Sequence, residues 1–511
     1  MVAWRWFFLL ASLLSAGGAW SQAGHGCGPI ADSDFRGVVL ATNPGAALDE
    51  PLKMAFNMDA QGGVDIYFVE RKGKLKKYAA ATQQVATLGS VRANSTFEEG
   101  LTGIALDPGF KSNRWVYLYY AYGKDPDFQF RVSRFTLGAQ DMLDTTSEKV
   151  VLSIPAIDAR MHAGGTLQFD AQGDLWITVG ESAAPEDGAG NSNDLRGKIL
   201  RIHPLSDGTY SVPLGNLFPK GTEKTRPEIY VMGVRNAYTL AMDNVRKRVA
   251  WGDIGPDGRG VTEEHNLTDK PGFFGWPYFA GNNVIIMGAQ DPAGAMNTNA
   301  KNTGIAKLPP AQVAINSYAQ AAAITGPIYH YDAASASKVK MPPHFHDHWF
   351  VADFNLNTMD TITLNDAGTA KLAKARVFPN IKVDKPIDFQ AGPDGALYVL
   401  NYSGWFNSTP GTSILRIEYT GSCHPVGISP SEGRRAGGFA LKGWLARVEA
   451  TGGHTFQVLD MRGSALKTFQ GHGAQSYDVK RILDGHPGGL YVLRLIADGR
   501  TSSRTLVWWP R

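Results

Sequence analysis

The chain has 511 residues, 43% of them hydrophobic and 19% charged, with a formal net charge of +3. That length allows a large core and two domains. The composition is that of a folded protein, and a charge so near zero gives no general electrostatic case for nucleic acid. With 58 glycines, 28 prolines and many aromatics, the chain reads as turns joined by aromatic strands, an all-β protein.

At the N-terminus Arg5 precedes an apolar run, Trp6 to Leu14, that is too short to span a bilayer. Ala19-Trp20-Ser21 and Ser21-Gln22-Ala23 fit small-x-small cleavage sites. Residues 1–23 are read as a secretory signal peptide removed near Ala23, the alternative being a retained anchor. No later stretch is apolar enough to span, so the mature chain is expected outside the cell or at its surface, the periplasm included. In such a compartment the two cysteines, Cys27 and Cys423, favour a disulfide tying together the ends of the main domain; two free thiols are the alternative.

Between the cysteines the chain repeats loosely. An apolar run reaches an Asp or Gly turn, and an aromatic strand follows. Met54–Asp59 precedes Val64–Val69, Leu101–Asp107 precedes Trp115–Tyr120, and Gly165–Asp170 precedes Leu175–Val179. A fourth copy lies around Arg235, a fifth is marked by Trp349–Asp353 with a weaker lead-in, and Ile387–Gly395 precedes Leu397–Leu400. About six such units, too short to bury their own faces, must stack. Radial stacking predicts a six-bladed β-propeller over residues 27–423, a pair of β-sandwiches being the competing architecture. Met287 to Ala323 reads as an insertion on one face, where long ordered loops build sites.

After a linker at 424–438 the texture changes to alternating strands, read as a small β-sandwich over 439–511. The run Gly489 to Leu495, the turn at Gly499-Arg500 and the final strand resemble the C-terminal sorting domains of type IX secretion substrates. That resemblance implies a secretion machinery as partner. An accessory carbohydrate-binding or spacer sandwich is the alternative.

The chemistry gathers in a few short motifs. His162-Ala163-Gly164-Gly165 offers a base of ordinary pKa near 6.5, followed by glycines that let a flat ligand approach the backbone. Gly233-Val234-Arg235-Asn236 puts a cation and an amide at a strand end. Asp253-Ile254-Gly255-Pro256-Asp257-Gly258 is a turn rich in carbonyls, suited to a hard cation. Glu264-His265-Asn266 and Phe274-Gly275-Trp276-Pro277 follow. In this order and at this spacing the set resembles the soluble glucose/sorbosone dehydrogenases, a calcium- and pyrroloquinoline-quinone-dependent family.

The resemblance covers roughly residues 30–420 and implies the propeller fold. It implies His162 as the base that takes a sugar hydroxyl proton, and Glu98 beside the quinone, where a family member has Gln. It implies Arg235 and Asn236 as cofactor contacts, and the carbonyls of Gly255 and Pro256 as calcium ligands. Gly180-Glu181-Ser182 resembles a loop at the family's cofactor face. Three positions depart: Met161 stands where an Asp supports the histidine, Asn355 near an expected Lys, and Asn380 near an expected Arg pair, with Lys382 (or Lys385) as the substitute cation.

Elsewhere His344, His346 and His348 alternate, a possible metal set. No glycine loop for a nicotinamide cofactor and no Gly-x-Ser-x-Gly elbow occurs. The expectation is a secreted oxidoreductase acting on an aldose or related sugar and passing electrons to an external acceptor. The alternatives are a non-catalytic carbohydrate- or protein-binding propeller and a calcium-dependent lactone hydrolase.

Overall fold

The computed structural model describes residues 30–508 except 44–47, 159, 257–261, 320, 366, 423–438, 443, 461–463, 488 and 498–499. The expected signal peptide and linker, and Cys27 and Cys423, therefore lie outside the described residues. One compact unit is Asp32–Gly421; the described strands of the other run from Phe439 to Trp508.

Among the described residues, Asp32–Gly421 holds six sheets of four or more strands. Their first strands are Pro51–Met58, Leu101–Leu106, Gly164–Phe169, Ala237–Asp243, Ala323–Tyr329 and Pro386–Ala391. Each lies beside the next, and the last beside the first, so the sheets close a ring. This is a β-propeller, as the repeats predict. The second strands are buried on both faces because each sheet packs between two others. Val64–Glu70 is buried at every residue, and so is Leu397–Asn401. This is why they read as continuous apolar runs rather than alternating ones. Burial falls toward the rim: Lys371–Arg376, the fourth strand of the fifth sheet, is almost wholly exposed and rich in Lys and Arg, which keeps such an edge from pairing with other chains.

Two features differ from the repeat pattern. The sixth sheet takes its outermost strand from the chain's start: Phe35–Thr42 pairs antiparallel with Ser413–Tyr419, Phe35 opposite Tyr419 and Thr42 opposite Ser413. The fifth sheet begins at Ala323, directly after the strand Asn316–Ala319 that completes the fourth. Its first strand contains Gly326-Pro327, and its register shifts between Thr325 and Ile328. That irregularity masks its apolar pattern.

The described C-terminal strands are linked by hydrogen bonds into one five-stranded sheet. Leu445–Leu459 pairs with Phe439–Lys442 through its first half and with Gly489–Ala497 through its second, its register against Ala465–Asp478 shifting between Glu449 and Gly453. Phe439, Phe456, Tyr477, Leu493, Leu506 and Trp508 enclose its core.

Candidate functional site

A cavity of about 480 Å³ opens at the end of the ring where the first strands begin. Leu52, His162, Asn236, Ile324 and Ile387 line it from those strand starts. Arg71, Ile254, Phe354 and Tyr402 line it from the loops that end the second strands. The antiparallel pairing brings these two sets to the same face. Among the predicted residues Glu98, His162, Arg235, Asn236 and Gly255 all line this cavity. Pro256 lines a small neighbouring recess with Asp253, Gly255, Thr262 and Glu264.

His162 sits in the left-handed region at φ 54°, followed by Gly164 and Gly165 at φ 65° and 115°. A non-glycine residue held there is strained, and surrounding contacts must hold it. They do: the His162 N–H donates to Glu98 Oε2 at 2.7 Å, and its carbonyl accepts from the Ser182 N–H at 3.2 Å. The glycines are obligatory. A Cβ on Gly165 would lie 2.2 Å from Thr102 Oγ1, and one on Gly180 would lie 1.9 Å from the His162 carbonyl oxygen.

The side chain of His162 has a carboxylate partner that the motif did not name. Nδ1 lies 2.8 Å from Oε1 of Glu181, which is 2% exposed, and Trp276 Nε1 donates to Oε2 of the same carboxylate at 3.1 Å. A carboxylate only accepts here, so Nδ1 carries the ring proton and Nε2 is the basic nitrogen. Glu181 thus stands beside the imidazole, whereas the resemblance led to an acidic partner being expected at the position of Met161. The family resemblance singles out its loop, Gly180-Glu181-Ser182, but not its pairing with His162, 19 residues away.

Arg235 and Asn236 are fixed by Asp253, whose carboxylate accepts both backbone N–H groups at 3.0 and 2.7 Å. Arg235 Nη1 donates to the Ile254 carbonyl at 3.0 Å, and Asn236 Oδ1 accepts from the Gly164 N–H at 3.2 Å. Burial pushes Asp253 up to about 6 and Glu264 up to about 7, the charge of Asp253 adding to the effect on Glu264. Thr262 Oγ1, in the same recess, is buried without a hydrogen-bond partner. A Cβ on Gly255 would meet the Thr262 carbonyl at 2.4 Å, so this loop closes only with glycine.

Arg71 is a second cavity cation that sequence reading missed, because Glu70-Arg71-Lys72-Gly73 looks like a solvated turn. It is 1% exposed; its Nε and Nη2 reach Glu50 Oε2 at 3.0 and 2.7 Å, and its Nη1 reaches the Ser95 carbonyl at 2.6 Å. Lys382 corrects an expectation. It is exposed and outside the cavity lining, because its neighbour Ile381 lies against Gly37 on the outermost strand of the sixth sheet. Lys385 instead places Nζ 4.8 Å from the Phe354 ring and 5.5 Å from the Trp405 ring, both of them cavity residues.

The three alternating histidines do not share a strand face. His344 lies in a short 3-10 turn, and the strand begins only at His348. The group that converges is His330, His346 and Asp347, with donor atoms within 4.8 Å of one another. It is built as an ion-pair network: His330 Nε2 lies 2.7 Å from Asp243 Oδ1 and Nδ1 lies 3.1 Å from Asp347 Oδ1, with Arg248 on Asp243 and Arg246 on Asp347. Burial alone would lower the His330 pKa, but the hydrogen bonds to Asp243 and Asp347 outweigh it and hold it up at about 9. A histidine whose folded pKa exceeds its ordinary 6.5 stabilises fully below that pH and loses the contribution as pH rises through about 9. The melting-temperature gap between the parent and His330→Ala is therefore expected to be larger at pH 6 than at pH 10. An equal gap at both would remove the argument.

Comparison with known proteins gives these features a family. Residues 48–405 match the glucose / sorbosone dehydrogenase family model. The aldose sugar dehydrogenase YliI of Escherichia coli strain K12 is 28% identical over 232 residues, 45% of this chain and 59% of that protein. Quinoprotein glucose dehydrogenase B of Acinetobacter calcoaceticus is 25% identical over 262 residues, 46% of this chain and 51% of that protein. The chain thus spans between half and three-fifths of the length of these curated relatives. The crystal structure of the soluble aldose sugar dehydrogenase from Escherichia coli in the apo-form shares the fold, with a TM-score of 0.57 and 23% identity over 75% of this chain and 99% of that one. With the family match spanning most of the propeller, the chain belongs to the glucose/sorbosone dehydrogenase family.

Proposed function

We propose that the protein is an exported sugar dehydrogenase that uses pyrroloquinoline quinone and calcium, with His162 as its general base. The observation that carries this reading is the His162–Glu181 pair set in the wall of a cavity that also holds Arg235 and Asn236. The lining suits a flat, multiply anionic cofactor. Tyr238, Phe354, Tyr402 and Phe406 offer aromatic faces, while Arg235 and Arg71 offer guanidinium groups for carboxylates. The recess beside it suits calcium, because the carbonyls of Gly255 and Pro256, the carboxylates of Asp253 and Glu264 and the unpartnered Thr262 hydroxyl are all oxygen donors.

In this reading the quinone, when bound, supplies the acceptor for the hydride that leaves the sugar carbon. The chain's own residues handle the proton. His162 Nε2 takes it from the hydroxyl on that carbon, and the imidazolium so formed faces the Glu181 carboxylate. The Trp276 N–H holds that carboxylate from the other side and keeps the ring's orientation. The backbone bond from His162 to Glu98 fixes the strained loop from which the ring projects. The electrons then pass to an external acceptor, and the C-terminal unit hands the chain to a secretion machinery.

The test is titration of metal-stripped protein with pyrroloquinoline quinone and calcium, followed by quinone absorbance and by dye reduction across a panel of sugars. Stoichiometric, calcium-dependent binding with sugar-dependent reduction is expected. No binding at micromolar quinone would sink the dehydrogenase reading and leave a carbohydrate- or protein-binding propeller.

A further inference from the structure

The only exposed phenylalanine and tryptophan side chains among the described residues are Phe97, 37% exposed, and Trp405, 55% exposed, and both stand on the cavity. They belong to one chain of ring contacts. Phe97 lies 4.7 Å from Phe406, Phe406 lies 5.2 Å from Trp405, and Trp405 lies 6.2 Å from Phe354. Large apolar rings left in water at the mouth of a cavity mark a contact surface rather than core.

The segment carrying Trp405 is also held in place before any ligand arrives. The Tyr402 N–H donates to the Lys385 carbonyl at 2.9 Å, and Ser403 Oγ donates to Asp384 Oδ2 at 2.6 Å. The Trp405 N–H donates to the Ser408 carbonyl at 3.0 Å, and the Ser408 N–H returns to the Trp405 carbonyl at 2.8 Å. Gly404 permits this hairpin at φ 153°, since a Cβ there would lie 2.1 Å from the Ser408 carbonyl oxygen. A fixed segment that exposes its tryptophan binds with little ordering cost.

We propose that Trp405 and Phe97 form a subsite for the second sugar unit of a glycan, so that the preferred substrate is the reducing end of an oligosaccharide rather than a free monosaccharide. This rests on the dehydrogenase reading of the same cavity. A pyranose has apolar C–H faces and a rim of hydroxyls. The rings offer flat faces, and Lys385 and the exposed Asn355 and Asn407 offer polar groups beside them. A cavity shared by a three-ring cofactor and the sugar being oxidised leaves the next unit at the mouth, where these rings stand.

The experiment uses the full chain loaded with calcium and pyrroloquinoline quinone, with glucose, cellobiose, cellotriose, maltose and maltotriose as probes. Binding is read by calorimetry with the acceptor dye omitted, and KM is read separately by dye reduction. At least one trisaccharide is expected to bind about tenfold more tightly than glucose. Trp405→Ala should cut that ratio to about twofold, Phe97→Ala should cut it in the same direction, and Trp405→Phe should retain most of it. Retention in Trp405→Phe separates loss of a ring from misfolding of the segment. Equal binding of glucose and every trisaccharide, or an equal loss for both in Trp405→Ala, would overturn the proposal. Trisaccharide binding without oxidation of any sugar would remove the dehydrogenase reading and keep the subsite. Oxidation without dependence on chain length would do the reverse.

Discussion

His162→Ala is expected to still bind pyrroloquinoline quinone while its sugar-dependent turnover falls by about 10²–10⁴-fold, the usual contribution of a positioned general base. The geometry makes the two effects separable. The groups assigned to the cofactor's charge are Arg235 and Arg71, and neither is held by the imidazole. What the imidazole provides is Nε2, left basic because Nδ1 donates to Glu181 at 2.8 Å. Glu181→Gln therefore makes a sharper companion. It keeps the volume and one acceptor but removes the charge that faces the imidazolium, and the amide can drive the ring into the other tautomer. A loss of about 10²-fold or more in kcat is expected, with little change in quinone affinity. A quinone titration and a turnover assay on the same two variants decide the matter. If both variants retain parental turnover, His162 is not the base; if both fail to bind quinone, the pair is structural.

The motifs were readable because each is a strand end, and strand ends are local. His162, Arg235, Asn236 and Gly255 lie at the starts of first strands or the ends of second ones, and the propeller brings all such ends to one face. What could not be read was partnership across the ring. Glu50 and Asn407 are 357 residues apart and bonded, and Phe97 meets Phe406 across a similar gap. No periodicity carries that information; it follows from closure of the sixth sheet by Phe35–Thr42, an outermost strand too exposed to show a clean apolar pattern. Lys382 was misplaced for a related reason. A lone charge in a loop has no apolar frame to say which way it faces, and here the frame is Ile381 on Gly37.

Glu50→Ala is expected to destabilise the propeller by about 3–5 kcal/mol, the cost of leaving a buried charge without its partner. Glu50 and Arg71 have side chains 0% and 1% exposed, and Arg71 brings two nitrogens onto Glu50 Oε2. Glu50 Oε1 also accepts from the Asn407 N–H and, at 3.3 Å, from the Tyr402 hydroxyl. One carboxylate therefore ties the loop after the first sheet's second strand to the segment that carries Trp405 and Phe406. Removing it strands the Arg71 guanidinium and frees the far end of that segment at once. Arg71→Met in the same background removes the stranded charge while keeping an unbranched side chain, so Glu50→Ala/Arg71→Met should recover at least half of the lost stability. Denaturant unfolding followed by tryptophan fluorescence measures both. A loss below about 1 kcal/mol in the single variant would show that water already reaches the pair. Recovery of stability without recovery of quinone binding is the expected signature in the double variant, because the missing guanidinium is one of the two assigned to the cofactor's carboxylates.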